Sequence, residues 1–163
     1  MTTQTSVWYG AVVRGDRNSV LLMPQCCIKD RAVVDTVASL PSGYPADTKI
    51  GIRSVVGAGA VVTSSVLKDN VLVGTGAIIG EGCVIEENSI IAAGSVLAPG
   101  TLVPANQFWA GNPATYQRDV DEEEAALSLQ RAEQNCELLR NHRDEFLPYG
   151  TMHVAAEKLG HEP

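Results

Sequence analysis

The stretch from Ile50 to Val103, IGIRSVVGAGAVVTSSVLKDNVLVGTGAIIGEGCVIEENSIIAAGSVLAPGTLV, places an aliphatic residue at almost every sixth position. The series runs Ile50, Val56, Val62, Leu67, Val73, Ile79, Ile85, Ile91, Leu97 and Val103, and its one irregular step is the five-residue interval from Val62 to Leu67. A second apolar residue usually precedes each of these, as in Val55, Val61, Leu72 and Ile78. Two places before the repeated residue stands a small one: Ser54, Ala60, Ala77, Ser89, Ser95. A helix cannot keep such a stripe on one face, because its turn of 3.6 residues does not divide six. Alternating sheet strands fail too, since the runs are short and the turn residues frequent. Short strands joined by tight corners do fit. Three hexapeptides close a triangular coil of about 18 residues, and coils stack at about 4.8 Å with the repeated aliphatic pointing inward. Gly and Asn between the runs (Gly59, Gly76, Asn88) accept the positive φ a corner requires. The fold class is an all-β solenoid, a left-handed parallel β-helix.

Working outward, Val7 and Val13 are in register, Leu22 follows an insertion of three residues, and Ile28 and Val34 resume the period. Residues 36–48, TVASLPSGYPADT, carry two prolines and a glycine and read as a loop thrown out of the coil. The β-helix domain therefore spans 5–109 with its loop at 36–48, followed by a connector at 110–120, a helix at 121–147 and a tail at 148–163. Asp121 caps that helix, whose first turn is acidic as the helix dipole favours. Ala125, Leu129, Ala132, Cys136 and Leu139 form one apolar stripe that packs on the β-helix or on a neighbour.

Composition narrows the function. The 163 residues are 45% hydrophobic and only 5% aromatic, so the core is made of many small stacked side chains. A net charge of −7 argues against a nucleic-acid partner, which would require clustered Lys and Arg. Cys26, Cys27, Cys83 and Cys136 match neither a CxxC metal site nor a secreted disulfide framework and read as reduced packing residues. No apolar run approaches the ~18 residues of a membrane span. No signal peptide opens the sequence, and a transit peptide has either been removed or never existed.

Three motifs carry a resemblance. Ser6-Val-Trp-Tyr-Gly-Ala-Val-Val-Arg-Gly-Asp16 resembles the opening motif of gamma-class carbonic anhydrases and their relatives. Ile90-Ile-Ala-Ala-Gly-Ser95 and Trp109-Ala-Gly-Asn-Pro-Ala114 are similar to their closing motifs. The resemblance covers residues 5 to about 140, and the opening and closing motifs together are far more specific than hexapeptides alone. It implies a trimer of β-helices, with zinc held at subunit interfaces by three histidines from two neighbouring chains and a fourth position open for water. This sequence departs from that pattern at all three ligands: the positions hold Asp35, Ala58 and Thr63. Alanine has no lone pair, a neutral threonine hydroxyl is a poor zinc ligand, and one carboxylate does not hold zinc. All three histidines, His142, His153 and His161, lie beyond the solenoid and read as solvated polar residues.

Other positions are mixed. The resemblance gives Arg14, Asp16 and Asp30 the role of ion-pairing residues across the subunit interface. The glutamine that orders the active-site water is replaced by Lys29, and the asparagine two before it by Cys27; Asp35 could neutralise Lys29 there. Tyr116 stands near the family's tyrosine after the closing motif.

The expectation is a non-catalytic gamma carbonic anhydrase-like subunit with no cofactor, joined to other such chains in a heterotrimer. The resemblance implies that such a trimer attaches to membrane-arm subunits of mitochondrial complex I, peripherally, on the matrix face of the inner membrane. Two alternatives stay open: a free-standing homotrimer that binds a small anion or metabolite near Lys29 and Arg14, and a hexapeptide acyltransferase. The latter would need a general base, ordinarily histidine, on or beside a coil.

Overall fold

The computed structural model describes residues 4–145. The chain winds as a parallel β-solenoid of three-strand coils. The first coil holds β1 (Ser6–Val7), β2 (Val12–Val13) and β3 (Val20–Leu22), and the second β4 (Cys27–Ile28), β5 (Val33–Asp35) and β6 (Thr48–Ile50). The third holds β7 (Val55–Val56), β8 (Val61–Thr63) and β9 (Val66–Leu67); the fourth β10 (Leu72–Val73), β11 (Ile78–Ile79) and β12 (Val84–Ile85). The fifth holds β13 (Ile90–Ile91), β14 (Val96–Leu97) and β15 (Leu102–Val103), and β16 (Gln107–Gly111) opens a sixth.

Equivalent strands pair in parallel and form three faces. Face A runs β1-β4-β7-β10-β13-β16, face B runs β2-β5-β8-β11-β14, and face C runs β3-β6-β9-β12-β15. Register follows the repeat: Ile79 pairs with Val62 on one side and Leu97 on the other, and Ile85 with Leu67 and Val103. The repeated aliphatics Ile28, Val34, Ile50, Val56, Val62, Ile79, Ile85 and Ile91 are wholly buried and form one continuous core. Burying a side chain of this size contributes roughly 1.5–3 kcal/mol, so a column of them stabilises a chain that has few large anchors. Cys26 and Cys83 take the small-residue position two before the inward aliphatic of their strands, as Ala60 and Ala77 do in theirs. The cysteines are free thiols.

The corners differ in chemistry. Between faces C and A the positive φ is taken by Gln25, Arg53, Asn70, Asn88 and Asn106. There Asn70 Nδ2 donates to Asn88 Oδ1 at 2.8 Å and Asn88 Nδ2 to Asn106 Oδ1 at 3.1 Å, a ladder across three coils. Between faces A and B the same conformation is taken by Gly10, Arg31, Gly59, Gly76 and Gly94, leaving a bare edge. Between faces B and C lie all the departures from the repeat: the extra residues after Val13, the excursion after Asp35 and the short step at Ser64.

That excursion does not stand free. It folds back beside face C, with Leu40 only 8% exposed. Asn18 Nδ2 donates to the Val37 carbonyl at 2.7 Å, and the Ser64 hydroxyl accepts from Val37 N–H and donates to the Ala46 carbonyl. The strand resumes at Thr48, inside the interval read from sequence as loop.

The interval 110–120 is also more than a connector. After β16 the chain reverses through Gly111-Asn112-Pro113 and returns as β17 (Ala114–Asp119), antiparallel to β16, so face A gains a seventh strand at its edge. The Arg118 guanidinium sits 4.7 Å from the Phe108 ring and grips Glu124 through two bonds of 2.6 and 2.7 Å. The helix α1 (Glu122–Glu145) follows, with Glu122, Glu123 and Glu124 in its first turn. Glu124 is held below the usual carboxylate range chiefly by Arg118, aided by its bond back to the Asp121 backbone, the reciprocal half of a capping box.

Helix α1 lies along face A. Ala132 is buried against Cys27 and Val55, with Trp8 and Leu72 packed around them. Leu129, Cys136 and Leu139 are half-buried on the same side, together with buried Ser128 and Asn135. At its far end Arg140 Nε donates to Gln4 Oε1 at 3.1 Å, and the His142 ring meets Trp8 edge-on at 5.5 Å and Tyr9 at 6.2 Å. His142 thus stays exposed to solvent, as read from the sequence, while one edge of its ring rests on the opening motif. His153 and His161 lie outside the described residues. No helix among the described residues is long and apolar enough to cross a membrane.

Candidate functional site

The three positions where zinc ligands would stand fall on two edges of face B. Asp35 ends β5 and Thr63 ends β8, and the two are direct partners in the parallel register. Both face the corner between B and C. Ala58 belongs to the turn between β7 and β8, at the corner between A and B, where Tyr9, Asp30, Arg31 and Gly59 surround a shallow cleft of about 460 Å³. A whole strand of face B separates the pair from the third position. A site uniting all three therefore requires two copies of this edge geometry, one chain giving its B–C corner and another its A–B corner.

The donor set does not fit zinc. One Asp35 oxygen already accepts the Thr36 N–H at 2.8 Å, and the other lies 3.8 Å from the Arg14 guanidinium. A dication brought to that carboxylate would have to displace a cation already beside it. Thr63 offers only a neutral hydroxyl and Ala58 nothing, whereas zinc needs three strong nitrogen, sulfur or oxygen donors near 2.0–2.3 Å. Among the described residues no three His, Cys, Asp or Glu side chains gather as a metal would require.

What occupies the B–C corner instead is an ion-pair chain. Arg14 Nη2 donates to Asp16 Oδ2 at 2.9 Å, both side chains about half exposed, while Arg14 Nη1 turns toward Asp35. The bond to Arg14 draws the Asp16 carboxyl below its ordinary value, and Asp16 in turn raises the Arg14 guanidinium. Within the chain Arg14 and Asp16 thus pair with each other. Asp30 sits on the opposite edge of face B, beside Ala58.

Within one chain Lys29 lies at the A–B edge, across face B from Arg14 and Asp35, so a pairing with either is one that only two neighbouring chains could make. Lys29 instead lines a groove of about 410 Å³ between face A and α1, with Arg131, Gln134, Asn135 and Leu138 from the helix opposite. Sequence reasoning missed this groove because one wall comes from coil residues between Lys29 and Thr75 and the other from the distant helix residues Arg131 to Leu138. Cys27 lies beneath the helix, and burial pushes its thiol up. Tyr116 projects from β17, and its hydroxyl donates to Asp119 at 3.1 Å.

Between the two edges of face B runs an outward ladder of Val12, Val33, Val61, Ile78 and Val96. Among the described residues no helix or loop covers it, and Val12 and Ile78 are each 45% exposed.

A family profile described as bacterial transferase hexapeptide (six repeats) matches residues 64–99. Over 155 residues, or 95% of this chain and 60% of the relative, the sequence is 44% identical to Gamma carbonic anhydrase-like 2, mitochondrial, of Arabidopsis thaliana. It is 49% identical to a probable carbonic anhydrase of Methanocaldococcus jannaschii over 120 residues, which is 74% of this chain and 72% of that protein. Among solved structures, a hexapeptide transferase family protein of Anaplasma phagocytophilum superposes with a TM-score of 0.76 at 35% identity, over 84% of this chain and 77% of that one. The chain spans 51% to 60% of the length of the first curated relatives it matches.

Proposed function

The chain belongs to the gamma carbonic anhydrase-like family, and on that footing we propose that it is a non-catalytic structural subunit of a trimer built from chains of this family. The observation that carries the reading is the donor set at the ligand positions: Asp35 engaged by Arg14 and by the Thr36 N–H, Ala58 without a donor, and Thr63 neutral. Such a set neither holds zinc nor lowers the pKa of a bound water, and carbon dioxide hydration depends on both.

Assembly is supported by the surface of face B. Its aliphatic ladder is flanked on one edge by the glycine-lined A–B corner with Asp30, and on the other by Arg14, Asp16 and Asp35. Bringing one chain's A–B edge against the next chain's B–C edge sets Asp30 toward Arg14 and turns the ladder inward. Repeated three times, that heterologous contact closes a ring. Arg14 then exchanges part of its bond to Asp16 for a bond across the interface, and Ala58 faces Asp35 and Thr63 of a neighbouring chain.

The seat of this trimer is the matrix side of the membrane arm of mitochondrial complex I. The Arabidopsis relative is named as mitochondrial, and a subunit that has lost its chemistry while keeping its contact surfaces suits an architectural place in a large assembly. Unlike chains of the same family are its partners, and no cofactor is required. The acyltransferase alternative loses ground on the absence of any histidine in the coils, which removes the ordinary general base.

Two measurements test the reading. Mitochondrial membranes from cells carrying the tagged full chain are solubilised gently and resolved on a native gel; comigration with NADH:ubiquinone oxidoreductase and recovery of other family chains is the expected result. Migration only as a small free oligomer overturns the placement. The purified assembly of this chain alone is then assayed for zinc content and carbon dioxide hydration, and stoichiometric zinc with hydration activity overturns the non-catalytic role.

A further inference from the structure

The groove between α1 and face A has a chemistry that neither assembly nor a lost metal explains. We propose that it binds a small organic oxyanion, a carboxylate or phosphate ester with a short apolar body. Its volume of about 410 Å³ falls in the range of small-molecule sites. From face A comes half-buried Lys29; from the helix come Arg131, Gln134 and Asn135. No carboxylate lines the groove, and neither Lys29 nor Arg131 has an ion-pair partner among the described residues. Two uncompensated cations facing one cleft are notable in a chain whose net charge is −7, because most of its surface repels the ligand this cleft attracts.

Asn135 supplies the second, independent observation. It is only 6% exposed, yet its side-chain amide has no hydrogen-bond partner among the described residues and opens onto the groove. None of its polar atoms is sealed from solvent, so a ligand in the cleft can take the place of the water that satisfies them. An oxyanion does so by accepting from the amide nitrogen while Lys29 and Arg131 neutralise its charge. The remaining wall is apolar, with Leu72 from the sheet and Leu138, 48% exposed, from the helix. An inorganic ion would leave that wall bare, whereas a short hydrocarbon body covers it. The residues that line the groove all come from one chain.

The test uses the uniformly nitrogen-15-labelled full chain and three probes: hexyl phosphate, hexanoate and hexan-1-ol. The Asn135 side-chain amide and Arg131 Nε–H resonances are expected to shift saturably with at least one anion, which also tells phosphate from carboxylate, and to bind it about tenfold or more tightly than the alcohol. Raising sodium chloride from low to high concentration weakens the anion several-fold without any substitution. Lys29→Met and Arg131→Met each weaken it about tenfold, while Lys29→Arg stays within about threefold of the parent. Absence of saturable shifts with both anions, equal binding of the alcohol, or indifference to salt overturns the proposal.

Discussion

Gly74 and Gly76 stand two residues apart in one turn, yet the structure assigns them different reasons for being glycine, and substitution by alanine separates the two. A Cβ at Gly74 would lie 2.4 Å from the Ala93 nitrogen and 2.6 Å from the Ala92 carbonyl carbon. That is about 1 Å short of comfortable contact, and the atoms it meets are backbone of the next coil. Relief requires that coil to lift by about 1 Å, which would stretch the bonds from Gly74 N–H to the Ile91 carbonyl and from Leu72 N–H to the Ser89 carbonyl, now 2.8 and 3.0 Å. With about 1 kcal/mol per lost bond and the loosened core beneath them, Gly74→Ala costs about 3 kcal/mol. At Gly76 the φ is +67° and no atom lies within 4 Å of the Cβ position, so Gly76→Ala costs only the left-handed penalty, about 1 kcal/mol. Urea unfolding at fixed protein concentration reads the difference as a midpoint gap of about 1 M, for a slope near 2 kcal/mol/M. Equal losses, or a smaller loss at Gly74, would refute the claim that backbone-to-backbone stacking sets the composition of these turns.

Three further outcomes follow from the same structure. Asn88→Ala removes both rungs of the asparagine ladder and leaves alanine at φ +56°; a loss of about 2–3 kcal/mol in urea unfolding is expected, and Asn88→Gly recovers part of it. Burial pushes the Cys26 thiol from 9.0 up to about 11, so the unfolded chain releases this proton first. The stability it contributes is complete below pH 9 and drains away toward about pH 11, by about 2–3 kcal/mol, and Cys26→Ala flattens that part of a thermal-melt series across alkaline pH. Ile78→Glu places a charge in the middle of the exposed face B ladder; light scattering is expected to show a smaller oligomer while the circular dichroism spectrum stays unchanged, and an unaltered mass would remove face B from the assembly surface.

The solenoid is legible in the sequence because the repeat sets both burial and register. Each inward aliphatic from Ile50 to Val103 lies where the period puts it, and the single five-residue step survives as a shortened corner at Ser64. What local pattern could not reveal was contact across long separations. Gly111-Asn112-Pro113 reads as the end of the solenoid, yet it is the turn that returns β17 onto β16. The apolar stripe of α1 finds the packed face but not the buried Ser128 and Asn135 on it, and the ring contacts of exposed His142 are missed because Trp8 and Tyr9 stand at the other end of the chain. The positions of Asp35, Ala58 and Thr63 could be found from the motifs. Their division between two edges could not, since it depends on which corner of the triangle each residue occupies.

The gathering of every irregular coil length at the B–C corner has a practical consequence for engineering. A foreign peptide, an affinity tag or a protease recognition sequence spliced in at Gly43, where nothing lies within 4 Å, should leave the stacked columns undisturbed. The glycine and asparagine corners offer no such slack, since one added residue there would rotate every side chain downstream out of its column.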